Sequence, residues 1–124
     1  MMIYLRRVYD KYEPSEGIRI LVDRLWPRGI RKSTPKVDLW LKDIGPSDKL
    51  RKWFMHDPKK WEAFQIRYKK ELLKNKCLEK LAAIVTENDI VTFVYASKDM
   101  EHNNAIVLKE VIKQRLGRNR KKVE

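Results

Sequence analysis

Apolar residues recur along this chain at two spacings, and the change from one to the other separates strands from helices. Ile3 to Tyr9 is rich in β-branched and aromatic residues with rough alternation, which predicts a first strand. Asp10 to Gly17 is polar and holds Pro14, Ser15 and Gly17, so it reads as a loop. Ile18 to Val22 is a near-continuous apolar run, the pattern of a second strand covered on both faces. Val37 to Leu41 fits either a short strand or a half-buried loop, with Leu39, Trp40 and Leu41 as its apolar positions. Ser47 is a good N-cap for a helix from about Asp48 to Met55, with Leu50, Trp53 and Phe54 inward. Asp57-Pro58 marks the next helix start, and Trp61, Phe64, Tyr68 and Leu72 follow at helical spacing. Leu78, Leu81, Ala82 and Val85 continue as another helix. Ile90 to Tyr95 is the clearest strand, aliphatic and aromatic with no breaker. Asn103 can cap a last helix from Asn104 to Leu116, which Gly117 is expected to end.

Helices separate the third and fourth strand candidates. The expected class is therefore α/β: a single domain with a small parallel or mixed sheet of about four strands flanked by helices. The 124 residues suit one core, placed over residues 1–116, with 117–124 as a basic C-terminal tail. No apolar run approaches the roughly 20 residues of a membrane span. Arg6 and Arg7 interrupt the N-terminal stretch, which does not read as a signal peptide. Cys77 is the single cysteine, so no intrachain disulfide can form, and the cytoplasm is the expected compartment.

Charge changes the picture. There are 29 Lys and Arg against 17 Asp and Glu, a formal net charge of +12. Such a protein attracts polyanions, nucleic acid included. Much of the excess is lysine beside glutamate, as in Lys69-Lys70-Glu71, and a further share lies in Arg115 to Lys122.

Candidate chemistry gathers where strands end. In open α/β sheets ligands bind beyond the carboxyl ends of the strands. Three polar segments leave strand candidates there: Asp23 to Gly29, Lys42 to Ser47, and Ser97 to Asn104. The last two run into helix N-termini, where free N–H groups favour anions. If the strands are parallel, these loops converge. Asp23, Arg24, Trp26, Arg28, Ser47, Lys98 and Asn103 are then candidates for binding an anionic small molecule, with forked guanidinium donors and a flat ring among them. Asp43, Asp99 and His102 are the candidates for proton handling. Each has a plainer reading: Asp23 can pair with an arginine to hold its loop, Trp26 can be core, Asp43 can cap a turn, and His102 beside Asn103 can belong to a helix cap. The two histidines and one cysteine show no metal-ligand spacing, so no metal is expected. No GxGxxG, GxxxxGK[ST] or GxSxG occurs, so the cofactor is left unnamed.

Read together, RVYD (Arg7 to Asp10), VDRLWPRG (Val22 to Gly29), LWLKDIGPS (Leu39 to Ser47), LRKWFMHDP (Leu50 to Pro58), WEAFQIRYKKEL (Trp61 to Leu72) and VYASKD followed by HNNA resemble the bacterial and archaeal family called domain of unknown function 488, in its YeaO-like branch. The resemblance spans nearly the whole chain. It implies a small cytoplasmic α/β protein and carries no activity with it. Relatives commonly have Asn-His-Ala where this chain has Asn103-Asn104-Ala105. Two functional classes follow: a small-molecule or nucleotide-handling enzyme using the cleft, or a nucleic-acid-binding module using the basic surface and tail. A third is an interaction domain without chemistry.

Overall fold

Ile20 and Leu21 are neighbours in sequence but belong to different apolar clusters, on opposite faces of a sheet. The computed structural model describes residues 2–11 and 13–123, with side chains through residue 118. Its four strands are β1 (Met2–Arg7), β2 (Ile18–Leu21), β3 (Leu39–Trp40) and β4 (Ile90–Tyr95). They form one sheet in the order β1-β4-β2-β3, and every pairing is parallel. The central strand is β4, the most apolar segment of the sequence, as a strand buried on both faces should be.

One face carries Ile3, Ile20, Val91, Phe93 and Tyr95 and is covered by four helices: α1 (Asp48–Phe54), α2 (Trp61–Leu73), α3 (Cys77–Glu87) and α4 (Asn104–Val123). Leu50, Phe54, Phe64, Tyr68, Leu72, Leu78, Leu81, Val85, Leu108 and Ile112 fill that layer. Among the described residues the other face carries no α-helix. Val8, Leu21 and Val94 are covered there by Trp26, Ile30, Val37 and Trp40, which come mostly from the chain between β2 and β3. Arg19 is fully buried and pairs with Glu16; its Nε donates to Lys36 O at 2.7 Å.

The caps read from sequence form as expected. Ser47 Oγ accepts from Leu50 N at 3.1 Å, and Asp57 Oδ1 from Lys59 N at 3.0 Å. Several boundaries differ, three of them for a clear physical reason. The ambiguous Val37–Leu41 segment yields only a two-residue strand, because β3 pairs with β2 at Ile20 and Leu21 alone. Asp57-Pro58 opens a short 3-10 turn, Pro58–Lys60, before α2 begins. Gly117 does not end α4, which continues to Val123. Nothing lies within 4 Å of a Cβ placed on Gly117, and a solvated helical glycine costs only about 1 kcal/mol, too little to stop a helix. The expected tail, 117–124, thus begins as helix; its side chains from residue 119 lie outside the described residues.

Parallel strands bring all four carboxyl ends to one edge. There the chain leaves β2 through Val22, whose N–H still donates to Val94 O at 3.1 Å. Gly45 passes against this exit. A Cβ on it would sit 2.6 Å from Arg24 N, so only glycine allows the approach. No helix among the described residues is long and apolar enough to cross a membrane.

Candidate functional site

Side chains pin the β2 exit loop from several directions. Trp40 Nε1 donates to Asp23 O at 2.8 Å, Trp26 Nε1 to Ile30 O at 2.6 Å, and Tyr9 Oη to Arg28 O at 2.8 Å. Trp26 and Trp40 meet edge to face at 5.3 Å. The loop is thereby held beside the β4 exit, and the two border a pocket of about 650 Å³. That volume lies in the range of small-molecule sites.

Eight of the ten residues proposed from sequence line this pocket: Asp23, Arg24, Trp26, Arg28, Lys98, Asp99, His102 and Asn103. Asp43 and Ser47 do not. Asp43 is largely exposed and stands 4.0 Å from Arg24. Ser47 Oγ donates to Glu71 Oε2 at 2.6 Å, and Ser47 N donates to Glu71 Oε1 at 2.9 Å.

Arg24 has a structural task. Its Nε donates to Pro46 O at 2.9 Å and one Nη to Gly45 O at 3.0 Å, fastening the glycine that crosses behind it. Arg28 and Lys98 are exposed, and no ion pair engages them among the described residues. Arg51 of α1 adds a third cation to the wall.

Asp23 carries a largely enclosed carboxyl. Its Oδ2 accepts from Ala96 N at 2.9 Å, while Oδ1 is buried without a hydrogen-bond partner among the described residues. Burial pushes the carboxyl above its usual range; the Ala96 N–H, the Asn104 amide and the nearby His56 offset this only in part. Behind it, Tyr68 donates to Ile44 O at 2.7 Å, and burial, with the Asp23 charge, pushes its phenol up.

Asp99 and His102 form a rigid pair. Asp99 Oδ1 accepts from the backbone N–H groups of Glu101 at 2.9 Å and His102 at 3.0 Å. Its Oδ2 meets His102 Nδ1 at 2.9 Å. The Glu101 N–H, followed by the bonds from His102, holds this carboxyl below its usual range. Trp61 meets the imidazole edge to face at 5.3 Å. A carboxylate on Nδ1 fixes ring orientation and selects the Nδ1–H tautomer, leaving Nε2 for other contacts. Asn103 is buried and caps α4, accepting from Ile106 N at 3.2 Å and donating to Asp99 O at 3.0 Å.

Sequence reasoning left Arg51, His56, Phe54 and Phe64 out of the site, yet all four line the pocket. Met55 and His56 are consecutive non-glycine residues with φ of 47° and 56°. This left-handed turn carries His56 to the pocket, and neither residue type announces it. Among the described residues no group of three His, Cys, Asp or Glu could hold a metal ion.

The family model described as "Inactive DUF488-N3 subclade" matches residues 2–124. This chain belongs to that family. Two relatives are similar to it over most of their length. The uncharacterized protein YeaO of Escherichia coli K12 is 42% identical over 108 residues, covering 87% of this chain and 94% of the relative. The uncharacterized protein Rv3073c of Mycobacterium tuberculosis H37Rv is 38% identical over 113 residues, covering 91% and 95%. No solved structure matches the chain.

Proposed function

We propose that the pocket binds a small anionic molecule, with a phosphate or carboxylate as its anchor, and does so without turning it over. The observation that carries this reading is that Arg28, Lys98 and Arg51, from three separate segments, line one concave site beyond the carboxyl ends of a parallel sheet. Arg28 and Lys98 are exposed without an ion-pair partner among the described residues, so an incoming anion displaces no internal pair at either. Binding without turnover accords with the word "inactive" in the description of the matching subclade. The Asp99–His102 pair then serves as a fixed hydrogen-bonding wall, and Arg24 and Ser47 support the loops. The nucleic-acid reading rests on net charge and on basic side chains near the C-terminus. Of these, Arg115 is already paired with Glu79, which makes it the weaker reading.

Calorimetric titration with inorganic phosphate and ribose 5-phosphate tests the proposal. The wild type should bind, and the double substitution Arg28→Ala, Lys98→Ala should weaken affinity at least about tenfold. The melting temperature without ligand should hardly change, because both side chains are exposed. The proposal fails if no anion binds, if the double variant binds equally well, or if phosphate is released from the ester on incubation.

A further inference from the structure

Two pocket-lining residues each have a buried polar atom without a hydrogen-bond partner among the described residues: Asp23 Oδ1 and Arg51 Nε. Native proteins leave few such atoms unpaired, and each one points to a water, an ion or a ligand. One of these is an acceptor and the other a donor. Asp23 Oδ2 holds the Ala96 N–H, and Asn104 gives one amide N–H to Val22 O at 3.0 Å. Arg51 extends a terminal nitrogen to Asp48 at 3.2 Å, leaving Nε over. Phe54 and Phe64, stacked with centroids 4.3 Å apart, provide apolar wall in the same pocket.

We infer that the ligand is not a bare anion but a mononucleotide-like molecule: an anionic group for the arginine and lysine side, a flat ring, and a ring-borne N–H that donates to Asp23. This rests on the anion-binding reading and adds the chemistry of the other end. A fully ionised anion carries no donor for Asp23 Oδ1, so on its own it fills only the cationic side of the pocket. An N–H-bearing heterocycle supplies the missing donor, and its phosphate takes up the missing acceptor role at Arg51. A site with a buried acceptor discriminates strongly against an analogue that lacks the matching donor.

Matched pairs test this by calorimetry on the full chain. Adenosine 5′-monophosphate is compared with purine riboside 5′-monophosphate, which lacks the exocyclic amino group. Cytidine 5′-monophosphate is compared with its 4-deamino counterpart. Ribose 5-phosphate serves as the ring-free reference. In at least one pair the amino-bearing member should bind about tenfold tighter or more, and Asp23→Asn should shrink that ratio towards one. Arg51→Met should weaken both members alike and keep the ratio. If ribose 5-phosphate binds and neither pair separates by more than about twofold, the inference is overturned while anion binding stands. If no phosphorylated probe binds, both readings are overturned. The wild-type comparison decides the question even where a variant fails to fold.

Discussion

Replacing Asp23 by asparagine should make the ligand-free protein more stable. The carboxyl and the amide have the same shape, so the packing beneath Val22 is kept. Two effects compete. The bond from Ala96 N, 2.9 Å long, changes from charge-assisted to neutral, a loss of about 1 kcal/mol. Against this, a buried charge is removed, worth about 1–3 kcal/mol or more. The net gain is about 1 kcal/mol, or about 4 °C in melting temperature for a domain of this size. The pH dependence carries a sign. Burial raises the folded-state pKa of Asp23 above its unfolded value. Its contribution is therefore fully present below the unfolded value near about 4 and is lost as pH rises through the folded one. The advantage of Asp23→Asn should thus be largest at neutral pH and fade on acidification. Differential scanning calorimetry of both proteins between acid and neutral pH measures it. A variant less stable than the wild type by the same amount at every pH would refute the claim that Asp23 is an unsatisfied buried carboxylate.

Other substitutions probe the supports of the site. Gly45→Ala should destabilise the fold by about 1–3 kcal/mol, because its Cβ would press on Arg24 N at 2.6 Å; urea denaturation reads this, and an unchanged midpoint would contradict the close approach. Arg24→Met removes the donors to Gly45 O and Pro46 O and should cost about 1.5–3 kcal/mol of stability by the same assay; a loss of anion affinity with unchanged stability would instead restore Arg24 as a ligand contact. Nitrogen-15 spectra of the His102 ring should show the neutral ring protonated at Nδ1, and Asp99→Asn should relax that preference; a neutral wild-type ring protonated at Nε2 would exclude the oriented pair.

Much of the fold was legible because its determinants are local. Ile90–Tyr95 has no breaker and became the central strand, and the spacing of Trp61, Phe64, Tyr68 and Leu72 put Phe64, Tyr68 and Leu72 into the core. Ser47 and Asp57 capped where their side-chain oxygens predicted. The gathering of Asp23, Arg28, Lys98 and His102 followed from polar loops at the ends of parallel strands. What stayed hidden depends on partners. Residue type does not say that Arg24 will spend its guanidinium on two carbonyls, or that Ser47 will meet Glu71 from α2. Arg51 looks like any helix-surface cation until α1 is docked. The left-handed pair Met55-His56 has no glycine or asparagine to mark it, so the route of His56 to the pocket was unreadable. Gly117 misled for the opposite reason, since a residue that often ends helices does so only where a left-handed turn is required.

The central claim is that ligand chemistry sits at the shared edge formed by the β2 and β4 exits. Backbone amide spectra recorded during titration with ribose 5-phosphate address it directly. The account predicts saturable shifts at Asp23 to Arg28, at Ala96 to Asn104 and at Arg51. Shifts confined to the distal part of α4, around Arg115 to Arg118, or none at all, would contradict it.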